Sequence, residues 1–124
     1  MIKFYVAAPY EKKEEAKLLR SYLEREGLKN TARWIDKTDP LDAAAAARDL
    51  VDVKDCDVLI LLSFEEFRNA GTGGRHVETG YALALNIPIL LLGPKTNIFH
   101  ELPEVRKILF PDLLGALLKM KPHD

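Results

Sequence analysis

A glycine-rich loop runs into a helix and then into a fully apolar strand over residues 71–92, GTGGRHVETGYALALNIPILLL. A strand without polar residues must be covered on both faces, as strands are in a parallel sheet between two layers of helices. We expect Glu78 in the first turn of the helix, where backbone N–H groups point outward and the helix dipole is positive. This position predicts an ionised carboxylate, which a nucleophile or an electrostatic stabiliser requires. The alternative is a favourable first-turn acid on a surface helix.

Strand and helix patterns alternate along the rest of the chain. Apolar or β-forming runs predict strands over residues 2–8, 31–35, 57–63 and 87–93, and a short one near 107–110. Helical patterns cover residues 11–26, 39–55, 75–86 and 112–119. Asp39 and Pro40 are the expected N-cap and first residue of the second helix. The alternation predicts an α/β fold: one domain over residues 1–124, with a doubly wound, mostly parallel five-stranded sheet of the Rossmann or flavodoxin type.

Composition and charge exclude several classes of function. The 124 residues carry 18 Lys and Arg against 19 Asp and Glu and contain no basic run, so binding to long nucleic acid is not expected. No apolar run approaches the length of a membrane span. The single Cys56 implies neither a disulfide nor a metal site, and the N-terminus does not resemble a signal peptide. We therefore expect a protein of the reducing cytoplasm.

Ligands of doubly wound sheets bind in the crevice beyond the carboxyl ends of the strands. Three segments are predicted to meet there: residues 5–10, 64–75 and 93–100. The loop over residues 64–74 is longer than most connections between a strand and a helix, which suggests a binding role. Glu78 lies just past this loop. The convergence of these segments marks the candidate site.

Asp49 is the second candidate acid. On a helix it shares a face with the apolar residues Ala45, Ala46 and Val53, and an acid beside an apolar stripe has its pKa raised by desolvation, which suits a general acid. A solvated residue at the edge of the helix is the alternative. Four neighbouring charged residues are expected to face solvent, Arg48 and Asp52 among them as a surface pair at i,i+4 spacing: Asp42, Arg48, Asp52 and Asp55.

Four other polar residues fall in the candidate crevice. Tyr5 is either a functional hydroxyl or a core aromatic whose hydroxyl is hydrated. Arg75 and His76 begin the helix that carries Glu78. They either bind an anion or a base there, or are solvated residues of a helix start. Asn97 follows the sharp Gly93-Pro94 turn and is placed to bind a ligand hydroxyl, whereas Phe99 is expected to pack.

Other chemistries match the sequence less well. The GTGG run lacks the lysine of a phosphate-binding P-loop, and it follows the third strand rather than the first, unlike a dinucleotide fingerprint. The three histidines have no metal-ligand spacing, so no metal or cofactor is predicted. Ser63 lacks the context of a nucleophile elbow. A phosphoacceptor receiver domain needs acids where the first strand ends, and this chain has Ala7, Ala8 and Pro9 there.

Four ordered segments resemble the nucleoside 2-deoxyribosyltransferase superfamily, which includes 2′-deoxynucleoside 5′-monophosphate N-glycosidases. The segments are FYVAAPY with Tyr5, RDLVDVKDCDVLILL with Asp49, GTGGRHVETGYALALNIPILLL with Glu78, and GPKTNIFH with Asn97. The resemblance implies cleavage of an N-glycosidic bond without a cofactor, in which Glu78 attacks the anomeric carbon, Asp49 protonates or steers the departing base and Tyr5 orients Glu78. Water or a second base would then take the sugar.

The resemblance also implies an assembly and a set of substrate-binding residues. The GPKTNIFH loop reaches a neighbouring subunit's site in that family, so we expect a homodimer or a dimer of dimers with Asn97 near the sugar's 5′ end. The small-molecule substrate is a nucleoside or nucleotide. Its binding residues are expected around the loops after the first and third strands: Ala8, Pro9, Thr72, Gly73, Gly74, Arg75, His76 and Asn97.

Departures from the family pattern leave open whether the substrate carries a 5′-phosphate. Transferases for free nucleosides often carry an acid at the position of Thr72, and a hydroxyl there tolerates a phosphate better. The monophosphate hydrolases, however, carry Ser and Arg where this chain has Pro9 and Glu11. A nucleotide substrate is favoured. The competing hypothesis is a non-catalytic nucleotide-binding sensor of the same fold, although such a binder has no need of Tyr5, Asp49 and Glu78 together.

Overall fold

Five parallel strands form one sheet in the computed structural model, which describes residues 1–38, 42–67 and 73–123. Numbered in chain order, they are β1 (Lys3–Ala7), β2 (Lys29–Asn30), β3 (Val58–Leu62), β4 (Ile89–Leu92) and β5 (Val105–Lys107). They lie in the order β2-β1-β3-β4-β5, and every neighbouring pair is parallel. The predicted doubly wound α/β fold is confirmed.

Four α-helices flank the sheet within the described residues: α1 (Lys13–Arg25), α2 (Ala43–Lys54), α3 (Gly74–Ala84) and α4 (Phe110–Leu118). The crossover from β1 to β2 and the later ones towards β4 run in opposite directions across the sheet. Since such crossovers are right-handed, α1 lies on one face and α2 and α3 on the other. α2 packs against α3, and α1 meets α4 through the rings of Tyr22 and Phe110, 5.5 Å apart. None of the described helices is long and apolar enough to cross a membrane.

The central strands are buried along most of their length. All five residues of β3 are buried, and so is β1 from Phe4 onward. Ala16, Leu19 and Leu23 recur at helical spacing along one face of α1, and all three are buried. The apolar runs therefore lie where a sheet covered on both faces requires them, and polar side chains enter only at the strand ends.

The strand predicted over residues 31–35 is wrong. β2 is only Lys29–Asn30, and Arg33–Asp36 form a 3₁₀ turn. The side chain of Asn30 turns the chain, because its amide donates to the carbonyl of Ala32 at 3.1 Å and its oxygen accepts from the N–H of Ala32 at 3.0 Å. Trp34 is then buried as a turn residue, with its indole N–H donating to the carbonyl of Val6 at 2.9 Å. Aromatic and β-branched residues thus fill the core here without joining the sheet.

The start of α2 also differs from the prediction. The helix begins at Ala43, and its N-cap is Asp42, whose carboxylate accepts from the N–H of Ala45 at 2.9 Å. The predicted cap, Asp39 with Pro40 after it, lies outside the described residues.

Asp52 of α2 does not face solvent as predicted. It is 3% exposed and accepts from the backbone N–H of Arg33 at 3.1 Å and from the guanidinium Nε at 3.0 Å. The predicted surface pair of Arg48 with Asp52 is therefore wrong. Because the carboxylate of Asp52 accepts hydrogen bonds from both the backbone and the side chain of Arg33, it anchors the 3₁₀ turn to α2. Sequence spacing does not predict a hydrogen bond between residues so far apart in the chain.

We expect Asp52→Ala to lower the free energy of unfolding by about 1–2 kcal/mol, because the substitution removes the acceptor of a partly buried backbone N–H group. Urea denaturation of the two proteins measures the change. The matched control is Asp55→Ala, an exposed acid one turn further along the chain that should change stability little. Equal losses in the two variants would contradict the anchoring role of Asp52.

Candidate active site

The three predicted loop segments meet in the structure. Lys12, after β1, forms an ion pair with Glu66, after β3, with Nζ 2.9 Å from Oε1. The hydroxyl of Ser63 lies 3.5 Å from that of Thr96, after β4. The close approach of these two strand ends requires glycine at Gly93, because a Cβ there would lie 2.1 Å from the carbonyl oxygen of Ser63. The topology therefore gathers the loops at the carboxyl edge of the sheet, as expected.

Tyr5 and Glu78 form the centre of the candidate site. Tyr5 lies on β1 and has no solvent exposure, and its hydroxyl donates a hydrogen bond to Oε2 of Glu78 on α3. Burial and the negative charge of Glu78 both raise the pKa of Tyr5 far above its usual value. The phenol therefore stays protonated at every physiological pH and acts as a permanent donor to Glu78. Tyr5 is a core aromatic, as the alternative had it, but its hydroxyl is paired with Glu78 and not hydrated.

Glu78 lies one residue further into its helix than predicted. α3 begins at Gly74, so Glu78 is the fifth helical residue and not a first-turn acid. Gly73 is the N-cap with φ of +81°, a left-handed conformation that favours glycine and lets the loop turn into the helix. The backbone N–H groups that point out of the helix start therefore belong to residues before Glu78. The helix dipole stabilises the ionised form of Glu78 less than the sequence suggested.

The expectation of an ionised Glu78 is wrong for the empty site. Burial raises the pKa of Glu78 to about 8, and the negative charge of Asp49 adds to the rise. The hydrogen bond from Tyr5 and the positive charge of Arg48 act in the opposite direction but are outweighed. At neutral pH the carboxyl group is therefore mostly protonated when no ligand is bound.

Asp49 has a cationic neighbour that the sequence did not predict. Its Oδ1 accepts from Nη2 of Arg48 at 2.8 Å and from Nε of the same guanidinium at 3.3 Å. Both side chains are partly buried, with 16% of Arg48 and 26% of Asp49 exposed. Consecutive residues on a helix point in different directions, so the spacing alone offered no signal for this pair. Arg48 is the residue of the site that sequence reasoning missed.

The start of α3 carries two more of the predicted residues. Arg75 is 7% exposed, and its burial lowers the pKa of the guanidinium while the negative charge of Glu11 raises it. His76 is partly buried, which lowers its pKa, and its Nδ1 lies 3.3 Å from the side-chain amide nitrogen of Asn97. Neither side chain is the freely solvated residue that the alternative described. Gly73 and Gly74 lie beside them, and Thr72 lies outside the described residues.

The loop after β4 folds back onto its own chain. The side-chain oxygen of Asn97 accepts from the N–H of Phe99 at 2.9 Å, while its amide group approaches His76. Phe99 is 58% exposed, so the expectation that it packs is wrong within this chain. His100 is buried, and its Nδ1 accepts from the N–H of Thr96 at 3.0 Å. This hydrogen bond joins the two ends of the segment from Thr96 to His100.

The loop after β1 supplies the remaining predicted residues. Ala8 and Pro9 are buried, and the carbonyl of Pro9 accepts from the N–H of Lys12 at 2.9 Å to close a 3₁₀ turn. That Ala8 and Pro9 bind the substrate stays a prediction. Within the ranges 1–38, 42–67 and 73–123, no group of three His, Cys, Asp or Glu side chains is arranged to hold a metal ion.

These observations define a doubly wound parallel α/β protein with a Tyr–Glu pair between β1 and α3. No protein-family model matches the chain, and a search of curated proteins finds no match. Among solved structures, the CMP N-glycosidase BcmB of Clostridium botulinum aligns over 94% of this chain and 96% of its own, at 23% identity and a TM-score of 0.63. The alignment shows that the two proteins share a fold.

Proposed function

We propose that this protein cleaves the N-glycosidic bond of a nucleoside or nucleoside 5′-monophosphate, with Glu78 as the nucleophile. The observation that carries the proposal is the Tyr5–Glu78 hydrogen bond, since it fixes a partly buried carboxyl group at the ligand-binding edge of the sheet. A second acid, Asp49, lies on the helix packed against α3. The fold shared with an N-glycosidase supports the same reaction class.

In the proposed reaction, a carboxylate oxygen of Glu78 forms a bond to the anomeric carbon of the sugar as the bond from that carbon to the base nitrogen breaks. The base leaves with a proton supplied by Asp49, and a covalent glycosyl–enzyme remains. Water or a second base then attacks the same carbon and returns Glu78 to a carboxylate. Two displacements at one carbon retain its configuration.

The reaction needs Glu78 as an anion, although it is mostly protonated in the empty site. Two features favour the anion once a substrate is bound. The hydroxyl of Tyr5 donates to the carboxylate and lowers its pKa, and the positive charge that develops on the sugar ring favours a negative partner. Tyr5 therefore both orients the nucleophile and stabilises its charge.

The charged groups at the start of α3 act in opposite directions on the binding of a 5′-phosphate. The helix start at Gly73 and Gly74, with Arg75 and His76 next to it, favours an anion such as a 5′-phosphate. The negative charge of Glu11 acts on Arg75 and weakens that attraction. We favour a nucleotide substrate on the balance of these charges.

The assembly stays a prediction of the resemblance. A homodimer or a dimer of dimers would bring the loop that carries Asn97 to a neighbour's site, whereas within one chain Asn97 already lies beside His76. We retain the dimer as part of the proposal because two exposed apolar residues, Ile98 and Phe99, follow Asn97 on the same loop. Cys56 is buried and free, in keeping with the proposed cytoplasmic location.

The proposal is tested by incubating the protein with matched ribo- and 2′-deoxyribonucleosides and their 5′-monophosphates, with and without an acceptor base. Chromatography should detect free base from at least one substrate, and a new nucleoside if the enzyme is a transferase. The same incubation with Glu78→Gln is the control for contaminating activity. Ligand binding in calorimetry without any base release would instead support the non-catalytic sensor.

A further inference from the structure

We propose that Arg48 is a positioning residue that holds Asp49 as a carboxylate, so that the empty site keeps its one exchangeable proton on Glu78. The inference rests on the proposed function, in which that proton later leaves with the base. It assigns the two acids resting states opposite to those that the sequence suggested, and it gives a role to a residue that the sequence placed in solvent.

The first support is the contact between Arg48 and Asp49. Nη2 and Nε of the guanidinium lie 2.8 and 3.3 Å from Oδ1 of Asp49. Both side chains are mostly shielded from solvent, so the attraction is screened less than in a surface pair. A permanent cation at hydrogen-bond distance stabilises the ionised form of a carboxyl group.

The second support is the absence of such a cation at Glu78. Within the described residues Tyr5 is its hydrogen-bond partner, and no Lys, Arg or His nitrogen lies within ion-pair distance. A neutral phenol stabilises a carboxylate less than a guanidinium does. Burial then favours the protonated acid, in agreement with a pKa of Glu78 near 8.

The charged groups around the two acids come from the neighbouring elements. Tyr5 faces Glu78 from β1, and α2 contributes Arg48, Asp49 and Asp52. The carboxylate of Asp52 forms an ion pair with Arg33, whose Nη2 lies 2.8 Å away, and its negative charge raises the pKa of Glu78 less than that of Asp49 does. Asp49 and Glu78 are thus the two acids that share one proton, and Arg48 favours the ionised form of Asp49.

With the resting proton on Glu78, every proton of the proposed reaction is accounted for. When the substrate binds, the proton leaves Glu78 for Asp49, giving a Glu78 carboxylate and an Asp49 carboxylic acid. Glu78 then bonds to the anomeric carbon while Asp49 gives its proton to the departing base. In the second half, the Asp49 carboxylate takes a proton from the attacking water, the sugar is released, and the proton returns to Glu78.

The experiment compares three substitutions on α2. Arg48→Gln removes the charge and keeps an amide donor, whereas Arg48→Lys retains the charge. Lys54→Gln is the matched control, because it removes a cation from an exposed position on the same helix. Carbon-13 NMR of the side-chain carboxyl groups follows their titration in the empty enzyme, with Glu78→Gln and Asp49→Asn used to assign the signals. Thermal melting checks that each variant is folded.

We expect Asp49 to titrate well below Glu78 in the unsubstituted protein. Arg48→Gln should raise the titration midpoint of Asp49 by about one pH unit or more, as loss of an opposite charge at this distance does. Arg48→Lys should stay near the original midpoint, and Lys54→Gln should leave it unchanged. In active protein, the acid limb of the pH profile of kcat/KM should move by the same amount in Arg48→Gln.

Two results would overturn the inference: Glu78 titrating below Asp49, or an Asp49 midpoint that Arg48→Gln leaves in place. The titration needs no substrate, so it separates this inference from the proposed function. If the midpoints behave as expected but no substrate loses its base, the proton arrangement stands and the proposed function fails.

Discussion

Glu78→Gln is expected to lose at least about a thousandfold in the rate of base release while keeping the native fold. The amide cannot form the covalent bond to the anomeric carbon. It is nonetheless close in shape to the protonated acid that the empty site holds, and its carbonyl oxygen still accepts from Tyr5. Single-turnover assays by chromatography measure the loss. The exposed Glu104→Gln is the control and should retain full activity.

Stability measurements distinguish this result from simple misfolding. The pKa of Glu78 is raised from its ordinary value of 4.5 to about 8 in the folded protein, so folding favours the protonated acid. The stability that this acid contributes is complete below pH 4.5 and is lost as the pH rises towards 8. Glu78→Gln lacks the ionisable group and should therefore gain stability relative to the unsubstituted protein over that range. Near-normal turnover in this variant would refute the nucleophile.

Asp49→Asn is expected to slow the release of poor leaving bases by about a hundredfold or more and to slow activated leaving groups much less. Protonation by a general acid helps most when the leaving base is strongly basic, and an amide has no proton of suitable acidity to give. Rates over a series of nucleosides with bases of graded basicity measure the dependence. Asp55→Asn, an exposed acid at the end of α2, is the control.

A uniform loss across the leaving-group series would give a different role to Asp49. It would then position the substrate or Arg48 without donating a proton. The Arg48→Gln variant provides a further comparison, because it keeps the acid and removes its cationic partner. A general acid whose charge is no longer compensated should still show the steep dependence on the leaving group, at a shifted pH.

The sequence determined the layers of this protein and the order of its elements. Runs such as Val58–Leu62 and Ile89–Leu92 are apolar throughout, and only strands covered on both faces bury such runs completely. The stripe on α1 has the helical period, so its buried face was predictable too. These patterns are local, and local patterns place the loops after β1, β3 and β4 at one edge of the sheet. Tyr5 and Glu78 were singled out in this way, and Asp49 was singled out because it borders an apolar stripe on its helix.

Only the tertiary structure decided the states and partners of the charged groups. Whether Asp52 faced solvent or Arg33 depended on a turn 19 residues earlier in the chain, and sequence spacing carries no record of that contact. The same holds for the pairing of Arg48 with Asp49 and for the fifth-residue position of Glu78 on α3. A pKa is set by burial and by charges from other elements, so it follows from packing and not from residue type. The sequence therefore identified the acids of the candidate site, and the fold determined their burial and their charged neighbours.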